Sequence, residues 1–276
     1  MSAEATERAA PALRWPAGLT HRPLGLGWAE PLLVPGLVLV AWVLSTSVLG
    51  WFGPSQLPGP ALVAESLLEL VRAGDLQRHL AASVGRIALG FGAGAALATV
   101  LATLVGLSRR AERLLDPTLQ AIRAIPSLAW VPFLLLWLGI GEVPKLVLVA
   151  IGTFFPVYVN ASTGIRNVDR RLLEVGTLHG LRGLRLARRI VLPAASPALL
   201  TGLRLGLGQA WLFLVAAELI AASKGLGFLL VDGQNSARAD LMVVAIVLLA
   251  LLGKTTDQAL RGVERRMLGW SDGFRA

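Results

Sequence analysis

Long stretches of apolar residues without a single charge alternate with short polar segments along this chain. A helix needs roughly 20 residues, at about 1.5 Å each, to cross the ~30 Å hydrocarbon layer of a membrane. Uncharged runs of about that length recur, so the pattern predicts an all-α, polytopic membrane protein. We predict about six transmembrane helices, near residues 32–51, 87–108, 121–141, 145–165, 199–222 and 240–260.

The last two predicted spans contain charged residues. Arg204 and Glu218 interrupt the fifth span, and only residues 241–253 of the sixth are free of charge. The sixth span reaches its full length by including Lys254 and Asp257. These two lie at positions i and i+3 of one helix face, so we expect them to pair while the lysine extends towards the lipid headgroups.

The basic residues lie mostly on one side of these spans. If both termini are cytoplasmic, the tails and the loops after spans two and four hold 18 Lys and Arg residues, against six on the opposite side. Cytoplasmic loops carry such an excess. We therefore predict a cytoplasmic N-terminal tail (1–31), a transmembrane domain (32–260) with a large cytoplasmic loop (166–198), and a cytoplasmic C-terminal tail (261–276).

Between the first two spans, the sequence predicts a short amphipathic helix on the outer surface. Val63, Leu67 and Leu70 recur at helical spacing among charged residues, and Gly74 is placed to end the helix. Packing against the bundle and recognition of a partner are equally compatible with this pattern.

Pairs of glycines inside the spans indicate close helix packing. Gly90 with Gly94, and Gly202 with Gly206, follow the small-xxx-small spacing that lets two membrane helices approach each other. We therefore expect each pair to form a contact face between spans.

Two prolines fall inside the third predicted span. Pro126 and Pro132 each remove a backbone donor, which tends to kink a helix. Membrane helices tolerate this where neighbouring groups or a cavity satisfy the freed carbonyls. We therefore expect this span to face the interior of the bundle.

Composition and charge exclude several functional classes. Only 16% of the residues are charged, against about 25% in soluble domains. The net charge of +9 does not indicate nucleic-acid binding, because the basic residues lie between apolar runs rather than on one soluble face. The chain has no cysteine and three scattered histidines, so we expect no disulfide, no metal site and no catalytic residues.

Nucleotide binding by this chain is not indicated either. Gly253, Lys254 and Thr255 resemble the end of a phosphate-binding loop, but the earlier glycine that such a loop requires is Leu248 here. A strand should also precede the loop, whereas these residues lie in an apolar helix. We expect no cofactor in this chain, and any ATPase must be a separate chain.

The loop between spans four and five has a regular pattern. Glu174 is followed by Gly180 and then, after nine further residues, by Ile190, Leu192 and Pro193. Locally, this pattern predicts a short helix, a glycine break, a second amphipathic helix and a proline stop. The preference for basic cytoplasmic loops explains the arginines, but it does not explain the spacing of these residues from a glutamate.

This spacing, Glu-x-x-x-x-x-Gly-x9-Ile-x-Leu-Pro, resembles the cytoplasmic signature of the permease subunits of binding-protein-dependent ABC importers. The resemblance extends from about residue 54 to 270, and it is strongest to the aliphatic-sulfonate, taurine and nitrate branch, above all to aliphatic-sulfonate permeases. The stretches that carry the likeness to this branch are residues 112–116, 152–156, 164–170 and 251–254.

The resemblance implies a type I importer bundle in the bacterial cytoplasmic membrane that transports a small organic anion. It also implies a second copy of the permease, two ABC ATPase subunits that bind ATP and Mg²⁺, and an extracytoplasmic substrate-binding protein. The loop with the five signature residues would form the coupling helix that docks on the ATPase. The usual Glu-Ala-Ala triplet reads Glu174-Val175-Gly176 here, and Gly176 is expected to weaken the first helix by up to about 1 kcal/mol relative to alanine.

The residues leave other functions open. A stand-alone secondary transporter or channel would need intramembrane carboxylates or histidines for ion coupling, and only Glu218 and Asp257 come near. A membrane-embedded enzyme would need a catalytic set, and the sequence contains no recognisable one. Within the importer class, taurine, nitrate, bicarbonate and small heterocycles are alternatives to aliphatic sulfonates.

Two arginines within the predicted spans are candidates for the substrate path. A sulfonate keeps its negative charge, which needs compensation when it leaves water. Arg123 and Arg204 would then form an anion path near the inner mouth. The alternative is structural: both arginines extend to lipid phosphates or pair with another span.

Overall fold

The computed structural model describes residues 30–268, and every regular element in that range is helical. Besides the α-helices, the chain forms a π-helical turn at Leu44–Val48, a 3₁₀ turn at Ser127–Trp130 and a second π-helical turn at Ala187–Val191. The predicted N-terminal tail, apart from its last two residues, and residues 269–276 lie outside the described part. The helices are α1 (Glu30–Val43), α2 (Pro60–Ala73), α3 (Asp75–Leu107), α4 (Arg109–Ala124), α5 (Val131–Leu138), α6 (Glu142–Arg166), α7 (Arg170–Leu178), α8 (Gly183–Leu186), α9 (Leu192–Ala221), α10 (Leu226–Asn235) and α11 (Ala239–Met267).

Four helices of the described part are long and apolar enough to cross a membrane: α3, α6, the continuous α8–α9 and α11. They correspond to the second, fourth, fifth and sixth predicted spans. A fifth crossing results if α4 and α5 are taken together. The first predicted span corresponds to the shorter apolar helix Leu32–Val48, which is near the lower length limit for a crossing. The all-α, polytopic fold is confirmed, while the number of six crossings stays a prediction.

The centre of the bundle is α6, which packs most extensively against α3 and α9. Glycines of the two neighbouring helices bring the backbones together. A Cβ atom on Gly94 would come within 2.5 Å of an α6 carbonyl oxygen, and one on Gly90 within 3.0 Å of another. Gly202 and Gly206 of α9 approach α6 in the same way. Both glycine pairs therefore have the packing role that their spacing predicts.

The third predicted span, 121–141, is not a continuous helix. α4 ends just inside this range, and the chain bends by 88° before it continues through the 3₁₀ turn into α5. Ile125 is extended, as residues before proline prefer to be, and Pro126 is not helical. Pro132 lies in the first turn of α5, where a helix needs no N–H donor. The two prolines therefore end one helix and begin another instead of kinking a single span.

The proline stop predicted within the 166–198 loop is wrong. The helix runs from Gly183 to Ile220 and includes the π-helical turn. Pro193 occupies the first turn of α9, a position that tolerates its missing N–H. The helix that contains the fifth predicted span is therefore longer than the predicted 199–222, and the last part of the loop belongs to this helix. The position of the membrane along it stays a prediction.

α2 is the amphipathic helix predicted between the first two spans. Gly74 ends it with a φ of +76°, which glycine adopts without strain. The helix is held to the start of α11, where Ser66 donates to Asp240 at 2.6 Å and Arg238 pairs with Glu69 at 2.8 Å. The Arg238 guanidinium lowers the pKa of the Glu69 carboxyl from its usual value. These contacts support a packing role for α2.

Candidate functional site

Residues 169–193, here called the α7 loop, form a helical hairpin between α6 and α9. Asp169 caps α7 by accepting a hydrogen bond from the N–H of Arg171 at 2.9 Å. Gly180 follows α7 with a φ of +75°, a conformation that β-branched residues avoid. The glycine break predicted between two short helices is therefore present.

Gly176 is a contact point inside the α7 loop. It is buried, and a Cβ atom there would collide with the Ile190 δ-methyl group and lie 2.6 Å from a Leu186 δ-methyl group. The glycine that departs from the Glu-Ala-Ala triplet therefore does more than weaken α7. It lets α7 pack directly on the π-helical turn that leads into α9.

The outer face of the α7 loop is apolar and basic. The exposed fractions of Leu178 and Leu184 are 85% and 64%. Exposed apolar side chains surrounded by charged ones are typical of protein interaction surfaces. The arginines exposed around them are Arg170, Arg171, Arg182, Arg185, Arg188 and Arg189.

The structure brings the five predicted signature residues into this one loop. Glu174 and Pro193 are exposed, and Gly180 forms the turn. Ile190 packs on α7, and Leu192 packs against the main apolar core. Their role in coupling stays a prediction. The loop has one exposed face, and its other side is packed against α7 and the apolar core through Ile190 and Leu192.

α4 is tied to α6 next to this loop by residues from the stretches that carry the family likeness. Arg166 lies 2.9 Å from Glu112, and the hydroxyl of Tyr158, which lies outside these stretches, donates to Asp116 at 2.6 Å. The two stretches are far apart in the sequence and adjacent in the fold. They position the end of α6, from which the α7 loop starts.

Arg204 is paired with two carboxylates of α11. Its guanidinium lies 3.5 Å from Asp257 and 3.3 Å from Glu264. Asp257 also pairs with Arg261 at 2.8 Å, and not with Lys254 as the sequence suggested. Because two carboxylates balance the charge of this guanidinium, it has no free positive charge with which to bind a transported anion. These contacts support the structural interpretation of Arg204, and its place in the substrate path stays a prediction.

Arg123 lies in a different environment. It lines an open cavity of about 370 Å³ formed with residues of α6, α9 and the 3₁₀ turn. Within residues 30–268, no carboxylate oxygen lies within 4.0 Å of its guanidinium nitrogens. Arg123 and Arg204, which the sequence predicts to share one anion path, therefore lie in different electrostatic environments.

A buried ion-pair cluster at the opposite end of α6 is not evident from the sequence. Arg86 donates to Glu218 at 2.6 Å and to Glu142 at 2.7 and 2.8 Å. Glu218, which is 1% exposed, also accepts from Ser83 at 2.8 Å and from the N–H of Gly227 at 2.8 Å. A charge inside an apolar run marks Glu218 as unusual, but nothing local indicates its partner. We call Ser83, Arg86, Glu142 and Glu218 the Arg86 cluster.

Helices long and apolar enough to cross a membrane, an exposed loop at one end and a cavity beside the central helix are the architecture expected of a membrane transport permease. The family described as "binding-protein-dependent transport system inner membrane component" matches residues 90–269. The chain belongs to this family and is a multi-pass membrane protein of the ABC importer class.

The relatives agree with this assignment. The protein named aliphatic sulfonates transport permease protein SsuC of Bacillus subtilis is 40% identical over 255 residues, which is 90% of each chain. The taurine transport system permease protein TauC of Escherichia coli is 35% identical over 195 residues, 71% of each chain. The resemblance to the aliphatic-sulfonate, taurine and nitrate permeases is thus confirmed.

A solved structure shares the fold. An inward-facing structure of the MetNI methionine ABC transporter matches with a TM-score of 0.62 at 19% identity, covering 70% of this chain and 95% of that chain. At this identity the likeness supports the fold only. The predicted type I importer bundle is confirmed.

Proposed function

We propose that this chain is the membrane-spanning subunit of an ATP-driven importer of small organic anions, with aliphatic sulfonates as the substrates. Two copies would form the translocation path, and an extracytoplasmic binding protein would deliver the substrate. Two separate ABC subunits would bind and hydrolyse ATP with Mg²⁺, so this chain needs neither catalytic residues nor a cofactor. The observation that carries the proposal is the α7 loop, in which the family signature coincides with an exposed apolar and basic face.

Coupling would pass through the α7 loop. The exposed Leu178 and Leu184 provide the apolar contact to the ATPase, and the arginines around them provide electrostatic attraction. Closure of the ATPase dimer would push on α7. Because Gly176 packs on the π-helical turn, that push would reach α9 directly. This arrangement requires the loop and both termini to be cytoplasmic, as the distribution of basic residues indicates.

Aliphatic sulfonates are favoured among the possible substrates because the SsuC relative is similar along nearly the whole chain. Taurine, nitrate, bicarbonate or a small heterocycle are the alternatives. A stand-alone secondary transporter is disfavoured for a physical reason. Ion coupling needs a carboxylate that is free to exchange its ion, whereas Glu218 and Asp257 are each held by arginine.

The proposed assembly is tested by purification. The chain, co-expressed with an ABC ATPase subunit of the same transport family, is expected to leave the membrane in detergent as a complex of two permease and two ATPase subunits. The mass of the intact complex checks this composition. A chain that transports its substrate in proteoliposomes with no nucleotide-binding partner would refute the importer function.

Coupling is tested at Gly180. The substitution Gly180→Val is expected to abolish the stimulation of ATP hydrolysis by the loaded binding protein, because valine resists a φ of +75°. Glu174→Lys is expected to have the same effect by reversing an exposed charge on the docking face. Both variants should still insert and fold, which size-exclusion chromatography of the detergent-solubilised protein checks.

The matched control for this test is Gly180→Asn, because asparagine tolerates the left-handed conformation. This variant is expected to keep most of the stimulated ATPase activity. Parental stimulation in both Gly180→Val and Glu174→Lys would show that the loop does not couple the two subunits.

A further inference from the structure

The cavity that contains Arg123 has a lining of distinctive chemistry. Three neutral polar side chains, Ser127, Asn160 and Gln209, line it together with the guanidinium group. No carboxylate is among the lining residues. The cavity therefore carries one positive charge and several neutral hydrogen-bonding groups.

The apolar part of the lining is mixed: two aromatic side chains lie among aliphatic ones. The side chains of Phe155 and Phe213 line the cavity beside the polar groups, and Phe213 packs directly on Gly152 of α6. Glycine at that position lets the ring lie against the helix, because a Cβ atom there would collide with it. Charged and apolar groups thus share one cavity, as they do in sites for small organic ligands.

The charge of Arg123 is not balanced within the described part of the chain. One of its terminal nitrogens donates to the neutral side-chain oxygen of Gln120 at 3.3 Å. Arg204, by contrast, has two carboxylate partners. An arginine at a membrane helix end that lines a cavity and lacks a carboxylate partner is suited to bind an anion.

We propose that this cavity binds the oxyanion head of an organic monoanion, with Arg123 as the counter-charge and the aromatic side chains against the apolar tail. Ser127, Asn160 and Gln209 would donate hydrogen bonds to the remaining head-group oxygens. The proposal rests on the transport function proposed above and adds to it a binding site that selects monoanions over zwitterions. An alkanesulfonate balances the single charge of the cavity. A zwitterionic aminosulfonate such as taurine leaves the occupied site with a net positive charge, because no carboxylate of the lining receives its ammonium group.

The site is tested directly on the detergent-purified permease–ATPase complex without a binding protein. Ethanesulfonate is expected to raise the unfolding temperature of the permease, whereas taurine at the same concentration is not. Arg123→Gln should remove the effect of ethanesulfonate and Arg123→Lys should retain part of it. Arg110→Gln is the matched control, because Arg110 is an exposed arginine of the same helix that does not line the cavity.

A second variant adds an opposite charge to the lining. Gln209→Glu is expected to weaken the effect of ethanesulfonate and to let taurine raise the unfolding temperature, because the cavity then offers a partner for each charge of a zwitterion. In proteoliposomes with saturating binding protein, uptake of ethanesulfonate by Arg123→Gln should fall about tenfold, the loss expected for one charge-assisted hydrogen bond.

The two measurements separate the site from the transport function. An equal effect of ethanesulfonate on Arg123→Gln and the parental complex, or its loss in Arg110→Gln as well, would overturn the anion site. The same holds if taurine and ethanesulfonate act alike on the parental complex. An effect that depends on Arg123, without ATP-driven uptake of any anion, would uphold the site and refute the importer function.

Discussion

Replacement of Arg86 by methionine is expected to lower the free energy of unfolding of the permease by about 3–5 kcal/mol, the cost of removing one partner from a buried ion pair. The Arg86 side chain is 3% exposed and joins Glu218 of α9 to Glu142 of α6. Without the guanidinium, Glu218 keeps hydrogen bonds from Ser83 and Gly227 but no balancing charge. Thermal unfolding in detergent, followed by loss of the monodisperse peak, measures the change.

The matched control is Arg78→Met in the same helix. Arg78 is highly exposed and pairs with Asp75 one turn away, so its loss should change stability by less than about 1 kcal/mol. The double variant Arg86→Met/Glu218→Gln should recover part of the loss, because it removes the unbalanced charge. Equal stability of the Arg86 and Arg78 variants would show that the cluster does not hold the helices together.

The substitution Gly94→Val is expected to prevent normal packing of α3 on α6. A Cβ atom at Gly94 would lie 2.5 Å from the carbonyl oxygen of Ala150, and a backbone atom cannot move aside as a side chain can. The helices must separate, so the destabilisation should reach about 3 kcal/mol, the upper part of the range for overpacking. The yield of monodisperse protein and its unfolding temperature should both fall.

Gly92 offers a control two residues away in the same helix. It is exposed, and no atom of a neighbouring helix lies within 4 Å of a Cβ built on it. Gly92→Val makes the same chemical change in the same sequence context and should leave the unfolding temperature within a few degrees of the parental value. Similar losses in both variants would point to helix propensity rather than to helix packing.

Structural features that depend only on a short stretch of sequence could be predicted, and the glycine pairs are an example. A spacing of four residues places Gly90 and Gly94 on one helix face, whatever the rest of the chain does. The same holds for the glycine turn at residue 180. The partner helix was not predictable, because the spacing describes one surface and not what packs on it.

The prolines show what a local sequence pattern does not determine. Pro126, Pro132 and Pro193 each lack an N–H, which is compatible with a kink, a helix end or a helix start. The surrounding contacts select among these outcomes, and they select an end and a start for the first two and a start for the third. Arg86 and Glu218 are a stronger example, since 132 positions separate them and neither predicts the other.

The helix that runs from Gly183 to Ile220 has a mechanical consequence. Its 38 residues span about 57 Å at about 1.5 Å per residue. The π-helical turn that rests on α7 lies near one tip, and Glu218 lies at the other. If the helix tilts as a rigid rod, a rotation of about 10° around its midpoint moves each end by about 5 Å in opposite directions. The Arg86 cluster would then resist movement of the far end of the helix. The strength of its ion pairs would set the force that is needed at the end near α7.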